Sequence, residues 1–181
     1  ILDISKAYGA DLLVKRPDVL ATDTAAKIPV IQHCVQEVEQ ITGQRFDYTV
    51  DLSPTAPMRS VNDIKGVVAL QMSGDISNVF SAAEAKNSPY FSLVELDSNG
   101  APILSKPPSQ PIVRRQDSPK CFDMNGSIYS WARDDLFNMD GLFGPQTRLF
   151  EMPESRSFDI DTETDFLVIE ALMSAQLAKT V

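Results

Sequence analysis

Phe46-Asp47-Tyr48-Thr49-Val50-Asp51-Leu52-Ser53-Pro54-Thr55-Ala56-Pro57-Met58-Arg59 is the stretch on which the fold turns. Residues 46–52 are few, β-branched and aromatic, with a helical pattern on either side, which predicts a buried parallel strand of a βαβ unit. Pro54 and Pro57 stiffen the loop that follows, and Ser60 is placed to cap a helix over 61–72. In such folds ligands bind outside the carboxyl ends of the strands, so the hydroxyls of this loop and Arg59 lie where a site is expected. The same residues read equally as a proline-stiffened connection whose Arg59 pairs with a nearby acid.

Upstream, Ile28, Ile31, Val35, Val38 and Ile41 recur at helical spacing over 26–42, with Gly43 as the stop and Asp23 or Thr24 as the cap. Residues 1–8 read as the last turns of a helix ended by Gly9, and 10–14 as a short run entering a sheet. Because the sequence opens inside that helix, N-terminal residues are expected to be absent from it. Downstream, strands are predicted at 78–84, 91–96, 126–130 and 148–152, with a hairpin turn at Ser98-Asn99-Gly100. A last helix over 163–178 places Phe166, Ile169, Leu172 and Met173 on one face. No repeat or low-complexity segment interrupts this order. The expected architecture is one α/β domain over 1–181, three-layered and Rossmann-like, with a mixed, mostly parallel sheet.

Composition narrows the chemistry. At 181 residues, 43% hydrophobic and 23% charged, the chain is long enough to bury a core without disulfides or a structural metal. Its net charge of -9, with sixteen Lys and Arg dispersed along it, gives a nucleic acid no attractive face. A small anionic nucleotide remains compatible, since local cations and a metal can reverse the field inside one cleft. Cys34 and Cys121 have neither the number nor the spacing of a disulfide framework or zinc site, and both are expected to be buried thiols of a reducing cytosol. No apolar run has the length of a membrane span and no signal pattern opens the chain, so a cytoplasmic protein with no membrane association is expected.

Three constellations carry chemistry. In Ser157-Phe158-Asp159-Ile160-Asp161-Thr162, alternate residues of an extended segment present Asp159 and Asp161 as paired carboxylates suited to Mg²⁺. The alternative is that Asp161 or Thr162 caps the last helix. Arg114-Arg115-Gln116, followed by Asp123-Met124-Asn125-Gly126-Ser127-Ile128-Tyr129, reads either as surface charge plus a turn or as an Arg fork for a carboxylate beside free backbone donors. The 53–59 loop is the third. The lone His33 lies on the polar side of its helix, and no Ser-His-Asp triad assembles around it.

Taken in order, Arg16-Pro17-Asp18-Val19-Leu20-Ala21-Thr22-Asp23-Thr24, Pro54-Thr55-Ala56-Pro57-Met58-Arg59, Arg115-Gln116, Asn125-Gly126-Ser127-Ile128-Tyr129, Met152-Pro153 and Asp159-Ile160-Asp161-Thr162 resemble the acylneuraminate cytidylyltransferase family, across the whole chain. Ala25-Ala26-Lys27-Ile28-Pro29-Val30 looks like its legionaminate-type branch, and Ser53 stands where members commonly carry Gln. The resemblance implies transfer of CMP from CTP to a nine-carbon, sialic-acid-type sugar acid, with Mg²⁺ on Asp159 and Asp161. Arg115 would bind the sugar carboxylate and share in catalysis with the two aspartates. Gln116, Asn125, Gly126 and Tyr129 would line the substrate pocket, and Arg16 and Arg59 would serve the nucleotide. It further implies a preceding strand and basic, glycine-containing phosphate loop that this sequence lacks. The apolar 134–147 segment, with Leu136, Phe137, Met139, Leu142 and Phe143, is expected at the interface of a homodimer. A related nucleotidyltransferase for another sugar acid, and a non-catalytic dimeric binding protein that kept the fold, are the alternatives.

Overall fold

The computed structural model describes residues 1–178. The elements run α1 (Leu2–Ala7), α2 (Lys27–Thr42), β1 (Tyr48–Leu52), α3 (Val61–Gln71), β2 (Asn78–Glu84), β3 (Val94–Leu96), β4 (Pro102–Leu104), β5 (Phe122–Ala132), α4 (Arg133–Asn138), β6 (Thr147–Glu151) and α5 (Glu163–Ala178). This is the α/β order expected, with a four-stranded sheet β1-β5-β2-β6 and a separate β3-β4 ribbon.

Backbone bonds fix the strand directions. Ser53 N to Ser127 O (3.1 Å) and Arg133 N to Asp47 O (2.8 Å) make β1 antiparallel to β5. Ala132 N to Ser77 O and Ala85 N to Cys121 O make β5 antiparallel to β2, whereas Met152 N to Ala82 O (2.8 Å), with Thr147 Oγ1 on Asn78 Oδ1, sets β6 parallel to β2. The sheet is therefore mixed. Between the two β5–β2 bonds, β2 advances eight residues (77 to 85) and β5 eleven (121 to 132), so β5 carries extra residues and bulges. Gly126, at φ +64°, takes the left-handed conformation there.

The residues cluster into two compact units. The first comprises Ile1–Asp51, Val67–Val79 and Tyr129–Arg148. Its core holds Ile31 and Val35 of α2 with Val67, Val79, Trp131 and Leu136. Burying a Leu or Ile side chain contributes about 1.5–3 kcal/mol. Glu39 accepts both Arg133 Nε and Nη2 (2.7 and 2.8 Å) and also the Phe46 amide. That fork holds the Glu39 carboxyl well below its usual range, at about 2. The second unit comprises Leu52–Gly66, Phe80–Ile128 and the residues from Leu149 on. Ala56, Met58, Phe80, Ala82, Ile128, Met152 and Ile169 form its core.

Several expectations change. Residues 10–14 form no strand. α2 starts from Ala26 with no side-chain cap, so neither Asp23 nor Thr24 serves it. β1 is at most half-buried and its sheet neighbour runs antiparallel, because β-branched composition marks a strand without specifying the direction of its partner. Cys34 is exposed on α2 and Cys121 half-buried. Among the described side chains of α5 only Ile169 is buried, while Phe166, Leu172 and Met173 stay exposed. Among the described residues no helix is long and apolar enough to cross a membrane.

The 134–147 segment is largely consumed inside its own unit. Leu136 is 1% exposed, Phe137 lies under the Arg133 guanidinium at 4.6 Å, and Asn78 donates to Leu142 O. Phe143, 71% exposed, remains outward.

Candidate functional site

The second unit gathers most of the candidate residues. Arg59 braces the 53–59 loop, Nη1 donating to the carbonyls of Ser53 (2.6 Å) and Ala56 (2.7 Å). The loop ends in a reciprocal cap on α3: Ser60 N donates to Asp63 Oδ2 (2.7 Å) and Asp63 N to Ser60 Oγ (3.2 Å). Asp63 is 3% exposed and also receives Arg156, Nε on Oδ2 and Nη2 on Oδ1, both at 2.8 Å. The Arg156 bonds, ahead of those from Ser60, hold the Asp63 carboxyl at about 2.

Residues 156–161 are tied at three points. Besides the Arg156 fork, Asn125 Nδ2 donates to Ser157 Oγ (2.9 Å), and Ile160 N to Thr55 O (2.9 Å). Asp159 Oδ1 accepts its neighbour's amide, Ile160 N, at 3.1 Å. Its Oδ2 lies 3.3 Å from where a Cβ on Gly126 would stand, so the carboxylate rests against a glycine in a backbone conformation that favours glycine.

The helix-cap question for Asp161 is resolved by its neighbours. Asp165 Oδ2 accepts Thr162 N (2.8 Å) and Thr162 Oγ1 (2.7 Å), and Asp165 N donates back to Thr162 Oγ1. Those bonds lower the Asp165 carboxyl below its ordinary range. Thr162 and Asp165 thus cap α5, and the exposed Asp161 carboxylate takes no hydrogen bond or ion pair among the described residues.

Other expected residues are placed differently. Asn125 is buried, its Oδ1 accepting Ser81 Oγ (2.7 Å) and Ser127 N (3.2 Å) while Nδ2 holds Ser157, so its amide is spent on protein contacts. Arg115 begins a 3-10 turn, Arg115–Asp117. Its Nη2 donates to the carbonyls of Ala85 and Lys86, leaving Nε and Nη1 without a protein acceptor among the described residues. It lines a 310 Å³ pocket with Glu84, Lys86, Glu151, Met152 and Glu154. There Lys86 pairs with Glu154, and the single Lys120 with both Glu84 and Glu151, so with Arg115 three cations face three acids, and no acid pairs with Arg115 among the described residues. Gln116 is exposed beside it, and Arg114 forks onto Asp117.

Arg16 and Tyr129 belong to the first unit. Arg16 is exposed in the irregular run before a 3-10 turn, Asp18–Leu20. Tyr129 and Trp131, two apart on β5 and so on one face, stack at 5.6 Å. Lys27 Nζ stands 4.1 Å above the Tyr129 ring and 2.7 Å from Asp51 Oδ2, an ion pair by distance without hydrogen-bond angles. Sequence reasoning missed Asp63, Arg156 and Ser157. The Ser60-x-x-Asp63 spacing was the one local signal for any of them.

No family model matches the chain. It is 40% identical over 174 residues to CMP-N,N'-diacetyllegionaminic acid synthase of Campylobacter jejuni, covering 96% of this chain and 73% of that protein. The chain belongs to the acylneuraminate cytidylyltransferase family. These are nonulosonic acid cytidylyltransferases, and the chain is accordingly an enzyme of the nucleotidyltransferase class. A second relative, post-translational flagellin modification protein B of Campylobacter coli, is 40% identical over 173 residues, 96% of this chain and 72% of its own length. The fold matches the solved structure of CMP:2-keto-3-deoxy-manno-octonic acid synthetase complexed with CTP, with a TM-score of 0.59 and 17% identity over 94% of this chain and 75% of that one.

Members of this family are typically magnesium-dependent. Among the described residues no three His, Cys, Asp or Glu side chains cluster to hold a metal by themselves. Asp159 and Asp161 nonetheless fit magnesium, which commonly takes one or two carboxylates and completes its shell with water and substrate phosphates.

Proposed function

We propose that the protein transfers CMP from CTP to the anomeric hydroxyl of a nine-carbon, sialic-acid-type sugar acid of the legionaminate kind, releasing pyrophosphate. The observation that carries this reading is the Asp159–Asp161 pair, with no ion pair to either among the described residues, on a segment pinned at three points in a chain 40% identical to a CMP-N,N'-diacetyllegionaminic acid synthase. Bound there with the triphosphate, Mg²⁺ would neutralise developing charge at the α-phosphate. The chain's own residues do the rest. Arg115, anchored through Nη2, offers Nε and Nη1 to the sugar carboxylate, and fixing that group makes attack on the α-phosphorus close to intramolecular, worth several kcal/mol. Arg59 keeps the 53–59 loop rigid for the nucleotide. Gln116 lines the sugar pocket beside Arg115.

We read 1–181 as one cytidylyltransferase domain, in a cytosolic homodimer that uses the outward Phe143. Light scattering of the intact protein at assay concentration should give twice the monomer mass, and a monomer would count against the dimer.

The reaction is tested by pyrophosphate release from CTP and Mg²⁺ with N-acylneuraminate, legionaminate, pseudaminate and an eight-carbon sugar acid. Legionaminate should give the highest kcat/KM. Release with the eight-carbon acid alone, or with none, overturns the reading.

Arg115→Lys should raise KM for the sugar acid about ten- to a hundredfold, the equivalent of a charge-assisted hydrogen bond of roughly 1.5–3 kcal/mol, and leave KM for CTP little changed. Arg114→Lys loses only a fork to exposed Asp117 and should be nearly silent. Steady-state kinetics with each substrate varied separately checks both, and the opposite ranking would refute the assignment of Arg115.

A further inference from the structure

We infer that Asp63 and Arg156, seconded by Asn125 and Ser157, are positioning residues that set the Asp159 and Asp161 carboxylates against the 53–59 loop. The inference rests on the metal role given to those two aspartates above. The ties fall on Arg156, Ser157 and Ile160, on both sides of Asp159, and they come from three different places. Asp63 stands in the first turn of α3, Asn125 lies in the β5 bulge, and Thr55 belongs to the loop itself. Asp63 is the hub. The same carboxylate that forks Arg156 caps α3 through Ser60, so the end of the loop and the start of the aspartate segment are referenced to one buried group. Asn125 makes the matching link on the other side, joining Ser157 to Ser81 of β2.

With Asp63 buried and Arg156 half-buried, the pair is a poor device for stability alone, because the cost of desolvating the charges offsets much of their attraction. What a bidentate guanidinium–carboxylate fork supplies is fixed distance and orientation. Magnesium, with its near-ideal octahedral shell, is sensitive to both. Outer-shell partners of metal ligands typically change metal affinity ten- to a hundredfold when removed.

The test uses the intact protein and Mn²⁺ alone as the probe, read by enhancement of water-proton relaxation, with thermal unfolding measured in parallel. Arg156→Lys keeps the charge and loses the fork, and it should weaken Mn²⁺ binding about tenfold at temperatures where the variant is fully folded. Ser157→Ala removes the second tie without a buried charge; it should weaken binding in the same direction, and it decides the matter if Arg156→Lys fails to fold. The Mg²⁺ concentration for half-maximal turnover should rise in step, with KM for the sugar acid unchanged. Asp161→Ala is the control. If it binds Mn²⁺ like the wild type, the metal reading itself fails. If it loses Mn²⁺ while Arg156→Lys and Ser157→Ala bind as the wild type does, with only the melting temperature lowered, the pair is purely structural and the positioning role is overturned.

Discussion

Asp161→Ala will lose magnesium-dependent turnover by roughly 10²- to 10³-fold, the several kcal/mol that metal stabilisation of transition-state charge supplies, while the protein stays folded. The two halves of that result have separate causes. The Asp161 side chain is exposed and makes no hydrogen bond or ion pair among the described residues, and the cap of α5 is built from Thr162 and Asp165 instead. Exposed substitutions of this kind usually change stability by no more than about 0.5 kcal/mol. Asp159→Ala should come close in activity at a slightly larger cost in stability, since the Ile160 amide then loses its contact with Oδ1. Initial rates across a Mg²⁺ series, with thermal melts on the same samples, give the check. Full activity in both variants would remove the metal from these residues.

What could be read from the sequence, and what could not, divides along the range of the interactions. Among the local signals, the helix stops and one cap held while the Asp23 or Thr24 cap did not: Gly43 ends α2 at φ +69°, Gly9 follows α1 at φ +93°, and Ser60 caps α3. In the β3–β4 hairpin Gly100 takes φ +80°, with Asp97 Oδ1 accepting the Asn99 and Ala101 amides. Asp159 and Asp161 were visible as two carboxylates at alternate positions, with a helix cap as the other reading. The supports were not. Asp63 and Arg156 are 93 residues apart, and neither side chain signals its partner. Asn125 was matched to the substrate pocket through the family resemblance, and the sequence does not show that the β5 bulge buries it among Ser81, Ser127 and Ser157. In the apolar 134–147 run a sequence does not show that Leu136 is covered by its own unit while Phe143 stays outward.

Gly126→Ala should damage the metal site and the fold together, and a second glycine separates the two effects. At φ +64° an alanine is strained by roughly 1–2 kcal/mol, which in a protein of this size lowers Tm by about 2–8 °C. Gly100→Ala meets the same penalty at φ +80°, but its new Cβ has nothing within 4 Å, whereas the Cβ at 126 stands 3.3 Å from Asp159 Oδ2. That contact is tight enough to shift the carboxylate by a few tenths of an ångström. The backbone of the 156–161 segment is held by Arg156, Ser157 and Ile160, so the side chain has to rotate while its anchor stays. A metal with ligand distances of about 2.0–2.1 Å and little tolerance for distorted geometry registers such a rotation as lost affinity. Both variants should therefore melt earlier by similar amounts. Only Gly126→Ala should raise the Mg²⁺ requirement, by about tenfold, the lower end of what disturbing the surroundings of a ligand costs. Equal Mg²⁺ requirements in the two variants, measured at a temperature where both are folded, would mean that Asp159 does not act from the position it holds against Gly126.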